Sequence, residues 1–131
     1  VWPPPAERSE VIYTFGYLGR TAAEIAELIG SGVLLDIRFS VYSRAPGMSG
    51  RALRDYFGPQ YLHVPELGNR RYKLSPPVEI ADGKKGIEIV QREVRMGADV
   101  YLMCACRDPE GCHRSVVAQM LREHGFEVAE V

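Results

Sequence analysis

The 131-residue sequence predicts an α/β fold: a single three-layer sandwich with helices on both faces of a mainly parallel sheet of about five strands. Three observations carry this. Short β-branched or apolar runs alternate with stretches whose apolar residues recur at helical spacing. Most runs end at glycine, proline or a helix-capping residue. The composition, 46% hydrophobic and 25% charged, suits a soluble globular chain that buries one core, and excludes disordered and coiled-coil classes.

The proline-rich opening VWPPPAERSE (1–10) reads as an extended tail, with a single α/β domain over 11–131. Val11 to Phe15 (VIYTF) is β-branched and aromatic, a first strand stopped at Gly16. Thr21 with Glu24 makes a capping-box pattern, and Ala22, Ile25, Ala26 and Ile29 share one helical face. Val33 to Ile37 (VLLDI) is a strand covered on both faces, with Asp36 near its end. Ser49 caps a short helix through Phe57, and Tyr61 to Val64 is a third strand closed by Pro65.

From Leu67 to Gly83 glycines, basic residues and prolines predict an irregular excursion. Ile87, Val90 and Val94 then mark a helix ending at Gly97. Val100 to Cys104 is a fourth strand, and Val116, Val117, Met120 and Leu121 lie on a last helix stopped by Gly125. Phe126 to Val131 is the last strand.

A formal net charge of −1 argues against a broad basic face for duplex nucleic acid, while a local basic cleft stays compatible with it. Three cysteines, two of them one residue apart, fit a reduced chain better than a disulfide framework. The opening residues lack the basic patch and apolar run of a signal peptide, and no apolar stretch approaches the roughly 20 residues that span a bilayer. A cytoplasmic location without membrane contact is the expectation.

In parallel α/β sheets, ligands sit at the carboxyl ends of the strands. Here those ends carry Gly16 to Arg20, Asp36 with Arg38, Glu66 to Arg71, and the stretch CACRDPEGCHRS from Cys104 to Ser115. Asp108-Pro109-Glu110-Gly111 has the residue preferences of a type I turn, which brings Cys106 back near Cys112. His113 and Arg114 open the last helix, where unpaired amides and the helix dipole favour an anion. Arg114 adds a bidentate donor and Ser115 a hydroxyl.

The same field is expected to lower the pKa of Cys112 and make it a nucleophile. Packing is the plainer use of Cys104 and Cys106. Asp36 with Arg38 reads equally well as acid plus anion clamp or as an ion pair that orders a loop. Glu66 reads as a ligand contact or a helix cap. A zinc site made of Cys104, Cys106, Cys112 and His113 competes with these readings, but adjacent Cys112 and His113 lack the usual spacing between ligands, so no metal and no cofactor is expected.

These motifs resemble those of the domain of unknown function 488 family of small bacterial and archaeal proteins. FGYLGRT, LLDIR, HVPELGNR and CACRDPEGCHRS stand in the family's order and at similar spacing, through almost the whole chain. The resemblance implies a Rossmann-like sandwich with Gly16, Arg20, Asp36, Arg38, Glu66, Gly68, Cys104, Asp108, Cys112, His113, Arg114 and Ser115 at one edge of the sheet. Tyr17 and Leu18 stand where the family commonly has His and Ser, and Cys106 where Glu is more usual.

The leading expectation is a strand-end cleft for an anionic ligand, in an enzyme or binding domain acting on a nucleotide or nucleic-acid phosphate. Cys112, His113 and Arg114 are its expected catalytic residues. Gly16, Arg20, Asp36, Arg38, Glu66, Gly68, Asp108 and Ser115 are its expected ligand contacts. The alternative is a non-catalytic binding or assembly module with a structural Cys/His loop, with or without zinc; elemental analysis separates the two. The sequence leaves turnover, nucleic-acid binding and oligomeric state open.

Overall fold

The computed structural model describes residues 11–74, 77–106 and 112–131. The opening 1–10 and the turn expected at Asp108–Gly111, with its candidate ligand residue Asp108, lie outside the described residues.

Among the described residues five strands, β1 (Val11–Gly16), β2 (Val33–Asp36), β3 (Tyr61–His63), β4 (Val100–Cys104) and β5 (Glu127–Glu130), form one sheet in the order β3-β2-β4-β1-β5. Every pairing is parallel. Among the described residues four α-helices, α1 (Ala22–Ile29), α2 (Gly50–Phe57), α3 (Gly83–Arg95) and α4 (His113–Glu123), cross over between them. The expected three-layer α/β sandwich is the fold.

The caps follow the side chains. Thr21 accepts the Glu24 amide at 3.1 Å while the Glu24 carboxylate accepts the Thr21 amide at 2.9 Å, satisfying two donors that the helix itself leaves unpaired. Ser49 caps α2 in the same way through the Ala52 amide. At α4 the cap is Cys112, which spends no side-chain hydrogen bond on the helix. Its sulfur is therefore available to other groups.

Alternation along the strands splits the core. Ile12, Leu35, Leu102 and Cys104 pack against Ile87, Val90 and Val94 of α3 and Val117 and Leu121 of α4. Phe15, Leu34, Tyr61 and Met103 pack against Ile25 and Ile29 of α1 and Leu53 and Phe57 of α2. Truncating a residue such as Leu35, wholly buried between layers, costs about 2–5 kcal/mol. Val116, read with the apolar face of the last helix, is instead 39% exposed.

The strand order places the site. β4 inserts between β1 and β2, so its terminal Cys104 stands at the middle of the sheet, opposite Gly16 and one position beyond the Asp36–Met103 pair. β5 joins the far side of β1, which brings Glu130 opposite Thr14. Among the described residues no helix is long and apolar enough to cross a membrane.

Candidate functional site

Cys104 ends β4 and Cys112 begins α4, and their sulfurs lie 3.1 Å apart, both buried. Arg114, the second residue of α4, is wholly buried beneath them. Its Nη1 donates to the Cys104 sulfur and to the Cys106 carbonyl, each at 2.7 Å. Its Nε and Nη2 reach the two oxygens of Glu130 at 3.0 and 2.7 Å. Thr14 donates to the same carboxylate at 2.7 Å. A buried guanidinium without a partner would be very costly, and this carboxylate supplies one.

The expectation that Arg114 presents an open anion clamp is therefore corrected. Two bonds to Glu130 neutralise it, and Nη1 faces sulfur and a carbonyl. Its effect is on Cys104. Hydrogen bonding from Cys112 and then the charge and hydrogen bond of Arg114 lower the Cys104 pKa, against burial. Cys112 moves the other way, pushed up to about 11 by its hydrogen bond to Cys104 and by burial. The expected low pKa of Cys112 is thus reversed, because its hydrogen bond to Cys104 and burial raise it while the guanidinium faces the Cys104 sulfur and makes that thiol the more acidic of the two. The two thiols titrate as one coupled pair. Cys106, exposed, has its pKa raised by partial burial of the sulfur and by Cys112.

His113 accompanies Cys112. The Ile37 carbonyl can only accept, so His113 Nε2 donates to it at 2.8 Å, and Nδ1 is left 3.8 Å from the Cys112 sulfur. A cavity of about 240 Å³ is lined by Cys106, Cys112 and His113 together with Asn69, Tyr72 and Leu74. Tyr72 is half-exposed, with its ring 6.1 Å from that of Phe39 and the Lys73 ammonium 5.6 Å from its centre.

The remaining expected residues do not gather here. Asp36 projects to the α1/α2 face, where it accepts from Arg38 Nε at 2.8 Å, Arg38 Nη2 at 2.5 Å and the Tyr61 hydroxyl at 2.6 Å. Arg38 also donates to the Met48 carbonyl at 2.7 Å and lies 5.2 Å from the Tyr17 ring. Burial opposes the Arg38 charge, and the hydrogen bonds and charge of Asp36 outweigh it and raise its pKa. This pair orders a loop; it is not part of the cysteine cavity.

Arg20 donates to the Val131 carbonyl at 2.9 Å, and Glu66 lies 3.8 Å from Lys85. Gly16 pairs with Cys104 in the sheet. Gly68 is needed for close packing: a Cβ there would come within 2.5 Å of the Phe39 amide nitrogen. The Ser115 hydroxyl donates to the Cys112 carbonyl, and Ser115 lines a separate hollow of about 230 Å³ beside Glu130.

Among the described residues, the sulfurs of Cys104, Cys106 and Cys112 lie within 4.8 Å of one another, a set with the softness to hold zinc or copper(I). Sulfurs sharing a tetrahedral zinc stand about 3.8 Å apart, given a Zn–S bond of about 2.3 Å. Cys104 and Cys112 are closer than that, and the Arg114 cation already faces the Cys104 sulfur. A second positive charge on that sulfur would be opposed, so the arrangement fits a thiol pair better than an ion.

Residues 66–125 match the family model DUF488-N3a, described as the active DUF488-N3 subclade. This chain resembles the DUF488 family. The matched span holds Glu66, Gly68, Cys104 and Cys112 to Ser115, while Gly16, Arg20, Asp36 and Arg38 precede it. No curated protein and no solved structure matches the chain. Neither Glu130 nor Tyr72 belongs to the DUF488-like motifs read from the sequence.

Proposed function

We propose that the cavity between Tyr72 and the start of α4 is the ligand site of an enzyme acting on a nucleotide or a nucleic-acid end, with Cys112 as the group that meets the substrate. One observation carries this: an aromatic ring, a histidine of defined tautomer and a thiol with a sulfur neighbour converge on a single small cavity. About 240 Å³ takes a base or a phosphate, not a whole dinucleotide.

The Tyr72 ring, buttressed by Phe39, offers a stacking surface in the cavity, and stacking on an aromatic ring is worth about 1–3 kcal/mol per base. Lys73, its ammonium 5.6 Å from the centre of the Tyr72 ring, supplies positive charge beside the cavity that Arg114 and Arg38, held by Glu130 and Asp36, do not. His113 Nδ1 is placed to take the Cys112 proton as the sulfur attacks. Arg114 and Glu130 act as positioning residues through Cys104. The word active in the description of the matching DUF488 subclade supports an enzymatic reading.

Thermal unfolding tests it. A nucleoside monophosphate should raise the Tm of the parent more than orthophosphate does, and Tyr72→Ala should lose most of the difference. Equal shifts in parent and variant, or no shift in either, would remove the cavity as the site.

A further inference from the structure

We propose that Cys104 and Cys112 are a redox-active dithiol that closes to an intramolecular disulfide when a small disulfide of the glutathione class enters the cavity. This goes beyond the nucleotide reading and does not depend on it. The sulfurs are 3.1 Å apart, and a disulfide requires about 2.05 Å, so roughly 1 Å of approach makes the bond. Both cysteines stand at the ends of their elements, one the last residue of β4 and the other the cap of α4, where such a shift leaves the sheet and helix hydrogen bonds in place. Cys112 lines the cavity, and Cys104 lies behind it, 1% exposed. That is the order an attacking and a resolving thiol need.

The steps balance. The Cys112 sulfur attacks one sulfur of the incoming disulfide as its proton passes to His113 Nδ1. The oxidant's S–S bond breaks, one thiolate leaves and takes that proton from His113, and Cys112 carries the mixed disulfide. Cys104 then attacks the Cys112 sulfur, the mixed disulfide breaks, and the second thiolate leaves with the Cys104 proton as a thiol. Two protein thiols lose two electrons and two protons, and the oxidant gains both and ends as two thiols.

Arg114 biases this couple. Its Nη1 donates to Cys104 at 2.7 Å and is anchored by Glu130, so it stabilises negative charge on the reduced pair that the disulfide does not have. A couple whose reduced form is stabilised is a better oxidant. Cys106, within 4.8 Å of both sulfurs but exposed, is the competing partner.

The full chain, equilibrated anaerobically over a series of reduced-to-oxidised glutathione ratios, is acid-quenched, alkylated and read by intact mass and peptide mapping. The expected product is one Cys104–Cys112 disulfide with Cys106 alkylated, formed equally in Cys106→Ser. Cys104→Ser should stop at a glutathione adduct on Cys112. The proposal is overturned if the folded parent keeps all three thiols at ratios that oxidise a free dithiol, or if the mapped disulfide contains Cys106 in place of Cys104.

Discussion

Arg114 Nη1 lies 2.7 Å from the sulfur of Cys104, and the same guanidinium is gripped from behind by both oxygens of Glu130. A carboxylate on the last strand thus anchors the cation that lowers the pKa of a cysteine at the centre of the sheet.

Removing that grip should be costly. The Glu130 side chain is 37% exposed and water can replace part of it, so Glu130→Gln is expected to cost about 1–3 kcal/mol, less than the loss of a fully buried partner. Urea unfolding of parent and variant measures it. Equal midpoints would show that Arg114 does not depend on the carboxylate.

Cys104→Ser should make Cys112 more reactive. Its pKa, held at about 11 chiefly by Cys104, falls toward the ordinary 9.0 when that sulfur is absent. A fall of two units gives about a hundredfold more thiolate near pH 8, and its lower intrinsic nucleophilicity takes back roughly a factor of ten, leaving about a tenfold faster reaction with iodoacetamide. A slower or unchanged rate at Cys112, read by peptide mapping, would contradict the coupling.

The pH dependence has a defined sign. Cys112 has a folded pKa above its ordinary value, so the fold favours its neutral form. Its contribution to stability is present below about pH 9 and is lost as pH rises through about 11. The parent should therefore lose more stability than Cys112→Ser between these values, as read by thermal unfolding across the range. Parallel curves would show that the thiol is not coupled to folding.

Asp36 belongs to a different cluster, and its loss should leave the cavity alone. Asp36→Asn strands the buried Arg38 without its counter-charge and should destabilise the protein by about 3–5 kcal/mol. Alkylation of Cys112 below the transition should be unchanged. A parallel change in that rate would join the two clusters into one site.

The fold was legible because β-branched runs, capping residues and helical spacing agreed, as at VIYTF, Thr21–Glu24 and Ile87–Val90–Val94. The approach of the two cysteines was legible as well, since Cys104 ends β4 and Cys112 caps the following helix at the carboxyl edge of the parallel sheet. The pairing of Arg114 with Glu130 was not, because it follows from β5 lying beside β1, a matter of strand order that local pattern does not carry. Grouping Asp36 with the cysteines overlooked the alternation of VLLD: Asp36 shares the parity of Leu34, which packs under α1 and α2, and not that of Leu35. The low pKa expected at Cys112 counted the helix dipole and omitted the neighbouring sulfur.

The most direct test of the account is the rate of Cys112 alkylation with and without a saturating nucleoside monophosphate, resolved by peptide mapping in the folded parent. Occupation of the cavity should slow the reaction at Cys112 several-fold and leave Tyr72→Ala much less protected. A Cys112 rate indifferent to the nucleotide would contradict the claim that this cavity is where the protein meets its ligand.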